Sequence, residues 1–249
     1  MRRTKQLALA VGAMFLAVAL VPHVALSSNE STPGEILLQF AAPGPSPAGL
    51  AFDGQHLWVG DNSTDKIYKL DPTNGKVLAT LSAPGGEVRG LTFDGQNLWT
   101  LDNISRRLCQ VDRAKGAILS HVTAPTLQTR GQTHELNGLT WDGEYLWSGI
   151  VAGWSSRMNQ VDPKTGAVKK FYFTKGYPRA LASDGTHIWN ATDNAGKRLG
   201  LVYKYKLSDG LFVSQFDTPG NYPTGLALDG QCLWCVDRET RTIYRLAAD

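Results

Sequence analysis

Short apolar runs, each of four to six residues, recur along this chain between clusters of glycine, aspartate, asparagine and proline. Runs of that length bounded by turn formers read as strands. They repeat as a group. Five segments align: Gly49-Leu-Ala-Phe-Asp-Gly-Gln-His-Leu-Trp58, Gly90-Leu-Thr-Phe-Asp-Gly-Gln-Asn-Leu-Trp99, Gly138-Leu-Thr-Trp-Asp-Gly-Glu-Tyr-Leu-Trp147, Ala180-Leu-Ala-Ser-Asp-Gly-Thr-His-Ile-Trp189 and Gly225-Leu-Ala-Leu-Asp-Gly-Gln-Cys-Leu-Trp234. Their first residues lie 41, 48, 42 and 45 positions apart. That period suits one four-stranded blade per repeat, and so predicts an all-β chain folded as a five-bladed β-propeller.

Each unit divides into strands a to d. Strand a is Gly-Leu-Ala-Phe or its equivalent, and Asp-Gly after it predicts a two-residue hairpin with positive φ at both positions. Strand b carries the tryptophan, whose fixed place in every unit reads as packing between blades. Strand c is Lys66–Leu70 and its counterparts. The turns Asp71-Pro-Thr-Asn-Gly75 and Asp162-Pro-Lys-Thr-Gly166 lead to strand d, with proline presetting φ and glycine accepting a left-handed conformation. The fifth unit ends after strand c, whereas a spare strand, Ile36–Phe40, stands ahead of the first unit. The N-terminal strand is therefore expected to close the ring, which removes two open sheet edges.

Arg2, Arg3 and Lys5 precede an apolar run from Leu7 to Val21, and Ala25-Leu-Ser27 is a small-x-small site. This pattern reads as a signal peptide over residues 1–27, with a single propeller domain over 28–249 and a secreted or periplasmic location. The run is too short for an ordinary span of about 20 residues, so no membrane association is expected after cleavage. The whole chain has 25 basic and 22 acidic residues; loss of the three basic leader residues leaves 22 of each. A neutral mature chain argues against a nucleic-acid partner. Cys232 and Cys235 are three apart on a strand and point to opposite faces, so neither a redox pair nor a disulfide is expected, and Cys109 lies in another blade.

The repeated segments resemble the YVTN and NHL propeller repeats over residues 35–249. A more local stretch, Asn137-Gly-Leu-Thr-Trp-Asp-Gly-Glu-Tyr-Leu-Trp147 with Ser155-Ser156 and Val161-Asp-Pro-Lys-Thr-Gly166, resembles the five-bladed glutaminyl cyclotransferases. The resemblance implies a propeller enzyme. That family carries an acidic residue implicated in catalysis just after the strand-b aromatic, and this chain has Ser148 there.

Function on a propeller resides in the variable d–a and b–c loops of one face. The residues just before strand a are Ala48, Arg89, Asn137, Arg179 and Thr224. Two positions earlier stand Ser46, Glu87, Glu135, Tyr177 and Tyr222. Strand a is innermost, so both layers are expected around the mouth of the central channel. Arg89 and Arg179 have two readings: an anion site, because guanidinium forks suit carboxylate or phosphate, or internal pairing with Glu87 or Glu135. The longest connection, 125–137, adds Arg130 and His134, and Trp154 on a b–c loop offers a stacking surface. Asp61-Asn62, Asp102-Asn103 and Asp193-Asn194 suit calcium or, with no metal, Asx turns; the turns are preferred and no cofactor is expected. No Ser/His/Asp arrangement or phosphate loop is present. The expectation is a monomeric binding module for a small anionic molecule, a peptide, a glycan or another exported protein. The alternative is an enzyme at the same mouth, as cyclotransferase, lyase or lactonase.

Overall fold

The structure, a computed structural model, describes residues 31–193 and 199–248. The leader read over 1–27 lies outside the described residues. Five four-stranded antiparallel sheets follow the five repeats. Blade 1 comprises Pro47–Phe52, Leu57–Asp61, Lys66–Leu70 and Val77–Ser82 as strands a to d. Blade 2 comprises Val88–Phe93, Leu98–Asp102, Arg107–Val111 and Ile118–Thr123. Blade 3 comprises Glu135–Trp141, Leu146–Val151, Arg157–Val161 and Val168–Phe173, and blade 4 Ala180–Ser183, His187–Thr192, Leu201–Lys206 and Phe212–Asp217. Strands Pro223–Leu228, Cys232–Asp237 and Thr242–Ala247 form blade 5. Its fourth strand is Ile36–Ala41 from the other end of the chain, paired antiparallel with Ile36 opposite Leu246 and Ala41 opposite Thr242.

Each a strand contacts the a strands of both neighbouring blades, so the five form a closed inner ring. The conserved place of glycine at the head of four repeats follows from that closeness. A Cβ on Gly90 would lie 2.7 Å from the Leu139 backbone nitrogen, and one on Gly225 would lie 2.8 Å from the Gly49 carbonyl carbon. The a–b register also slips at Gly49 and Gly138 and, one residue earlier, at Arg89 and Thr224, and runs regularly through Ala180 in blade 4. A bulge of this kind re-aims the side chain beside it; here that side chain is Ala48, Arg89, Asn137 or Thr224.

The strand-b tryptophans pack between blades, as their fixed position predicts. Trp58 joins Leu91 and Leu98 of blade 2, and Trp99 joins Leu139 and Leu146 of blade 3. Trp147 joins Leu181 and Ile188, Trp189 joins Leu226 and Leu233, and Trp234 joins Leu50 and Leu57, completing the circuit. Strand b is consequently buried along all or nearly all of its length, with only Val151 and His187 half-buried at its ends, whereas strand d, outermost, is mostly exposed. Burial on both faces removes the polar alternation a half-exposed strand would show.

The Asp-Gly hairpins differ from the expected two-residue type. Their glycines have positive φ, but none of the five aspartates does. The connection is three or four residues long, as in 53–56, where the Asp53 amide donates to the His56 carbonyl at 3.0 Å. The aspartate side chain explains the difference. One Asp53 oxygen accepts the amides of Gln55 and His56, and the other accepts the Trp58 indole N–H at 2.9 Å. The same indole bond recurs from Trp99 to Asp94, Trp147 to Asp142 and Trp234 to Asp229. The carboxylate thus caps its turn and satisfies the one polar atom of the interblade tryptophan. Blade 4 departs: Asp184 caps its turn amides, but among the described residues the buried Trp189 Nε1 has no hydrogen-bond partner. All three cysteines are free and buried. Cys235 lies in the blade 4–5 core, where burial pushes its thiol well above the usual range.

Candidate functional site at the channel mouth

The d–a and b–c loops meet at one end of the inner ring. There the layer read from the repeats converges: Ala48, Arg89, Asn137, Arg179 and Thr224, one from each blade, line a single recess. Tyr222 of the outer layer joins them. Two further lining residues, Asn62 and Arg238, come from b–c loops. The recess is tight. Its cavity is about 10 Å³, room for one water-sized body.

Of the two readings of Arg89 and Arg179, the structure shows internal pairing. Arg89 Nε donates to Glu87 Oε1 at 2.7 Å and Nη2 pairs with the same oxygen, while Glu87 Oε2 accepts from Asn103 Nδ2. Arg179 is held mainly by Asp193: Nε and Nη2 each donate to one Asp193 oxygen at 3.2 Å. Glu135, its expected partner, stands at 3.7 Å. Burial opposes the charge on Arg179, but the Asp193 carboxylate outweighs it and holds the guanidinium above its ordinary range.

Asp193 is available for this role because the repeats are offset there by one residue. The structural counterpart of Asp61 and Asp237 is Thr192, not Asp193. Asp61 accepts the Ser46 amide, Asp237 accepts the Tyr222 amide, and the Thr192 hydroxyl accepts the Tyr177 amide. Asp61 and Asp102 also accept two amides each from their own b–c loops, and Asp237 accepts one. These carboxylates serve as Asx caps, and the described residues contain no group of three or more His, Cys, Asp or Glu that could hold a metal ion.

The remaining expected residues stand outside the recess. The connection 125–137 is not irregular throughout: Gln128–Thr129 and Gln132–Thr133 form a small hairpin. Arg130 and Gly131 make its turn, both with positive φ, and the Arg130 side chain is exposed. His134 Nε2 is hydrogen-bonded to Thr129 Oγ1. Trp154, in a short 3₁₀ turn, is fully exposed and does not line the recess. Tyr177 is partly exposed, with the Arg179 guanidinium 5.9 Å from its ring centre. Ser148 is wholly buried opposite Asn159, away from solvent.

Neither a family model nor a curated protein matches this chain. Solved structures do. Glutaminyl cyclase of Myxococcus xanthus superposes with a TM-score of 0.69 at 13% identity, covering 86% of this chain and 96% of that one. A chain of a nidogen/laminin complex gives 0.54 at 15% identity, over 82% and 77% of the two chains. A β-propeller domain from Myceliophteria thermophila gives 0.53 at 12% identity, over 87% and 100%. At these identities the likeness establishes the β-propeller fold, including a glutaminyl cyclase-like neighbour.

Proposed function

We propose that this propeller is an exported binding module that takes a small anionic group at its channel mouth, whether a free small molecule or the acidic end of a peptide or glycan. The observation that carries the reading is the charge of the recess. Three guanidiniums line it, Arg89, Arg179 and Arg238, and among the described residues no carboxylate does; Glu87 and Asp193 pair with the first two, and the more exposed Glu135 stands 3.7 Å from Arg179. A mature chain of balanced charge would attract an anion through such a local excess rather than through its overall field. The groups that acid–base chemistry would use are otherwise committed: Glu87 to Arg89, Asp193 to Arg179 and His134 to Thr129. Export rests on the leader pattern of the first 27 residues.

One observation favours the enzymatic alternative. Glu135 has a side chain 57% exposed and, among the described residues, only the 3.7 Å contact with Arg179, which leaves a carboxylate beside the mouth able to accept a proton. Calorimetry of the purified protein with carboxylates, phosphate and acidic peptides, run beside ammonia-release assays on N-terminal glutaminyl peptides and hydrolysis assays on lactones, separates the two. Binding without turnover is expected. Turnover that disappears in Glu135→Gln would replace the binding reading with the enzymatic one.

A further inference from the structure

The mouth's unused hydrogen-bonding groups specify more than its charge. Asn137 is 4% exposed, on strand a of blade 3, and its Nδ2 has no hydrogen-bond partner among the described residues. The Oδ1 of Asn62 is buried and equally without a partner. Both residues line the recess. A buried donor and a buried acceptor left open each cost free energy that a ligand can recover. Arg238 supplies the charge. Its backbone is pinned beside Tyr222, whose carbonyl accepts the Arg238 amide at 3.0 Å. Its guanidinium lies 5.7 Å from the Tyr222 ring centre, and among the described residues it has no carboxylate partner. Tyr222 also has the Arg179 guanidinium 5.2 Å from its ring centre, so the tyrosine stands between a neutralised cation and an available one.

We infer that the ligand group read at this mouth is a monocarboxylate bearing a hydrogen-bond donor on the adjacent carbon, an α-hydroxy or α-amino carboxylate. This rests on the reading of the mouth as a binding site. Arg238 takes the single negative charge in a charge-assisted bond. Asn137 Nδ2 donates to the same carboxylate, and Asn62 Oδ1 accepts from the neighbouring hydroxyl or ammonium. Two of the three guanidiniums are already neutralised, so one negative charge suits the recess better than the two of phosphate or a dicarboxylate. The cavity admits one water-sized body as it stands. Entry of the carboxylate therefore requires the exposed Arg238 side chain to leave the Tyr222 ring and turn onto the ligand.

The test is calorimetric titration of the purified chain with L-lactate, glycine, acetate, phosphate and succinate, repeated with Arg238→Ala, Arg238→Lys and Asn62→Leu. Lactate or glycine is expected to bind more tightly than acetate, and phosphate and succinate least; which of the first two leads identifies the donor as hydroxyl or ammonium. Arg238→Ala should weaken the favoured ligand by about tenfold or more, since a hydrogen bond to a charged group is at stake. Arg238→Lys should restore part of that loss. Asn62→Leu should remove the advantage over acetate while leaving acetate itself unchanged. Unchanged melting temperatures would show that the variants remain folded. A bound carboxylate indifferent to Arg238→Ala, or a preference for phosphate or succinate, overturns this inference and leaves the mouth a binding site. No binding by any of the five overturns this inference, while acidic peptides in the broader panel remain the test of the mouth itself.

Discussion

The two faces of the propeller are built by opposite rules. On the face of the a–b and c–d turns, one device is repeated: an aspartate that caps its own turn and, in four of the five blades, holds the indole of the tryptophan wedged into the next blade. On the mouth face the blades diverge, even where a residue type recurs. The residue heading strand a is alanine, arginine, asparagine, arginine or threonine, and its partners differ each time. Repetition marks what every blade must do to stack. Variation marks what only the assembled ring can do, because the recess exists only where five different loops meet.

Three experiments would break or sharpen this contrast. The largest effect should come from the seam. A chain beginning at Ala42 loses the strand that packs Leu38 and Phe40 against the blade 5–1 core and sets Phe40 5.8 Å from Trp234. Two partly buried side chains and a full ladder of backbone bonds should together be worth at least about 3 kcal/mol. Urea unfolding with an unchanged midpoint would refute closure by the first strand.

The second experiment concerns the repeated face. Asp94→Ala strips the turn of its cap and leaves the Trp99 indole N–H and Gln110 Nε2 without an acceptor. A loss of about 2–3 kcal/mol is expected. Asp184→Ala removes a cap with no indole attached and should cost about 1 kcal/mol. Acid sharpens the comparison. Burial tends to raise the Asp94 carboxyl, but its four hydrogen bonds prevail and hold it below the usual aspartate range. Its contribution is therefore complete above the unfolded aspartate pKa and is lost as pH falls through the lower folded value. Asp94→Asn should flatten that acid limb of the stability curve. A variant with the same acid limb as the parent would show that the carboxylate is not what the turn requires.

The smallest effect should come from the tryptophans themselves. Trp147→Phe and Trp189→Phe remove the same atoms from equivalent positions, yet only the first breaks an indole bond. Trp147→Phe should cost about 1 kcal/mol more. Equal losses in thermal unfolding would mean that the indole–aspartate bond adds nothing beyond packing.

The repeat carried most of the fold in plain view. Period, strand order, the missing fourth strand of blade 5 and the spare strand before blade 1 all follow from aligning five segments. The same alignment placed Ala48, Arg89, Asn137, Arg179 and Thr224 in one layer, and they do line one recess. What the alignment missed depends on contacts across the sequence. The Asp–Trp bond joins the a–b turn to strand b five residues on, and a propensity reading treats its members separately as turn and core. Arg238 and Asn62 were legible in principle, since both follow the final aspartate of strand b. In sequence the Asp61-Asn62 pair reads as an Asx turn, which hides the place of the asparagine in the recess. The Asp193 pairing was obscured because Thr192 performs the capping that aspartate performs elsewhere, shifting the apparent motif by one position.

The closure also makes the starting point of the polypeptide arbitrary. The Gly34 amide donates to the Ala247 carbonyl at 2.9 Å, and the Ala247 amide donates to the Glu35 carbonyl at 3.0 Å. Segments this near can be joined by a short linker and the chain opened elsewhere, which exposed turns tolerate. Cutting the 163–166 turn would give a circular permutant that begins with Val168–Phe173 and ends with Arg157–Val161. Its first strand would then fasten onto its last, as in the native order, with the fastening moved to blade 3 and the recess still assembled from all five blades.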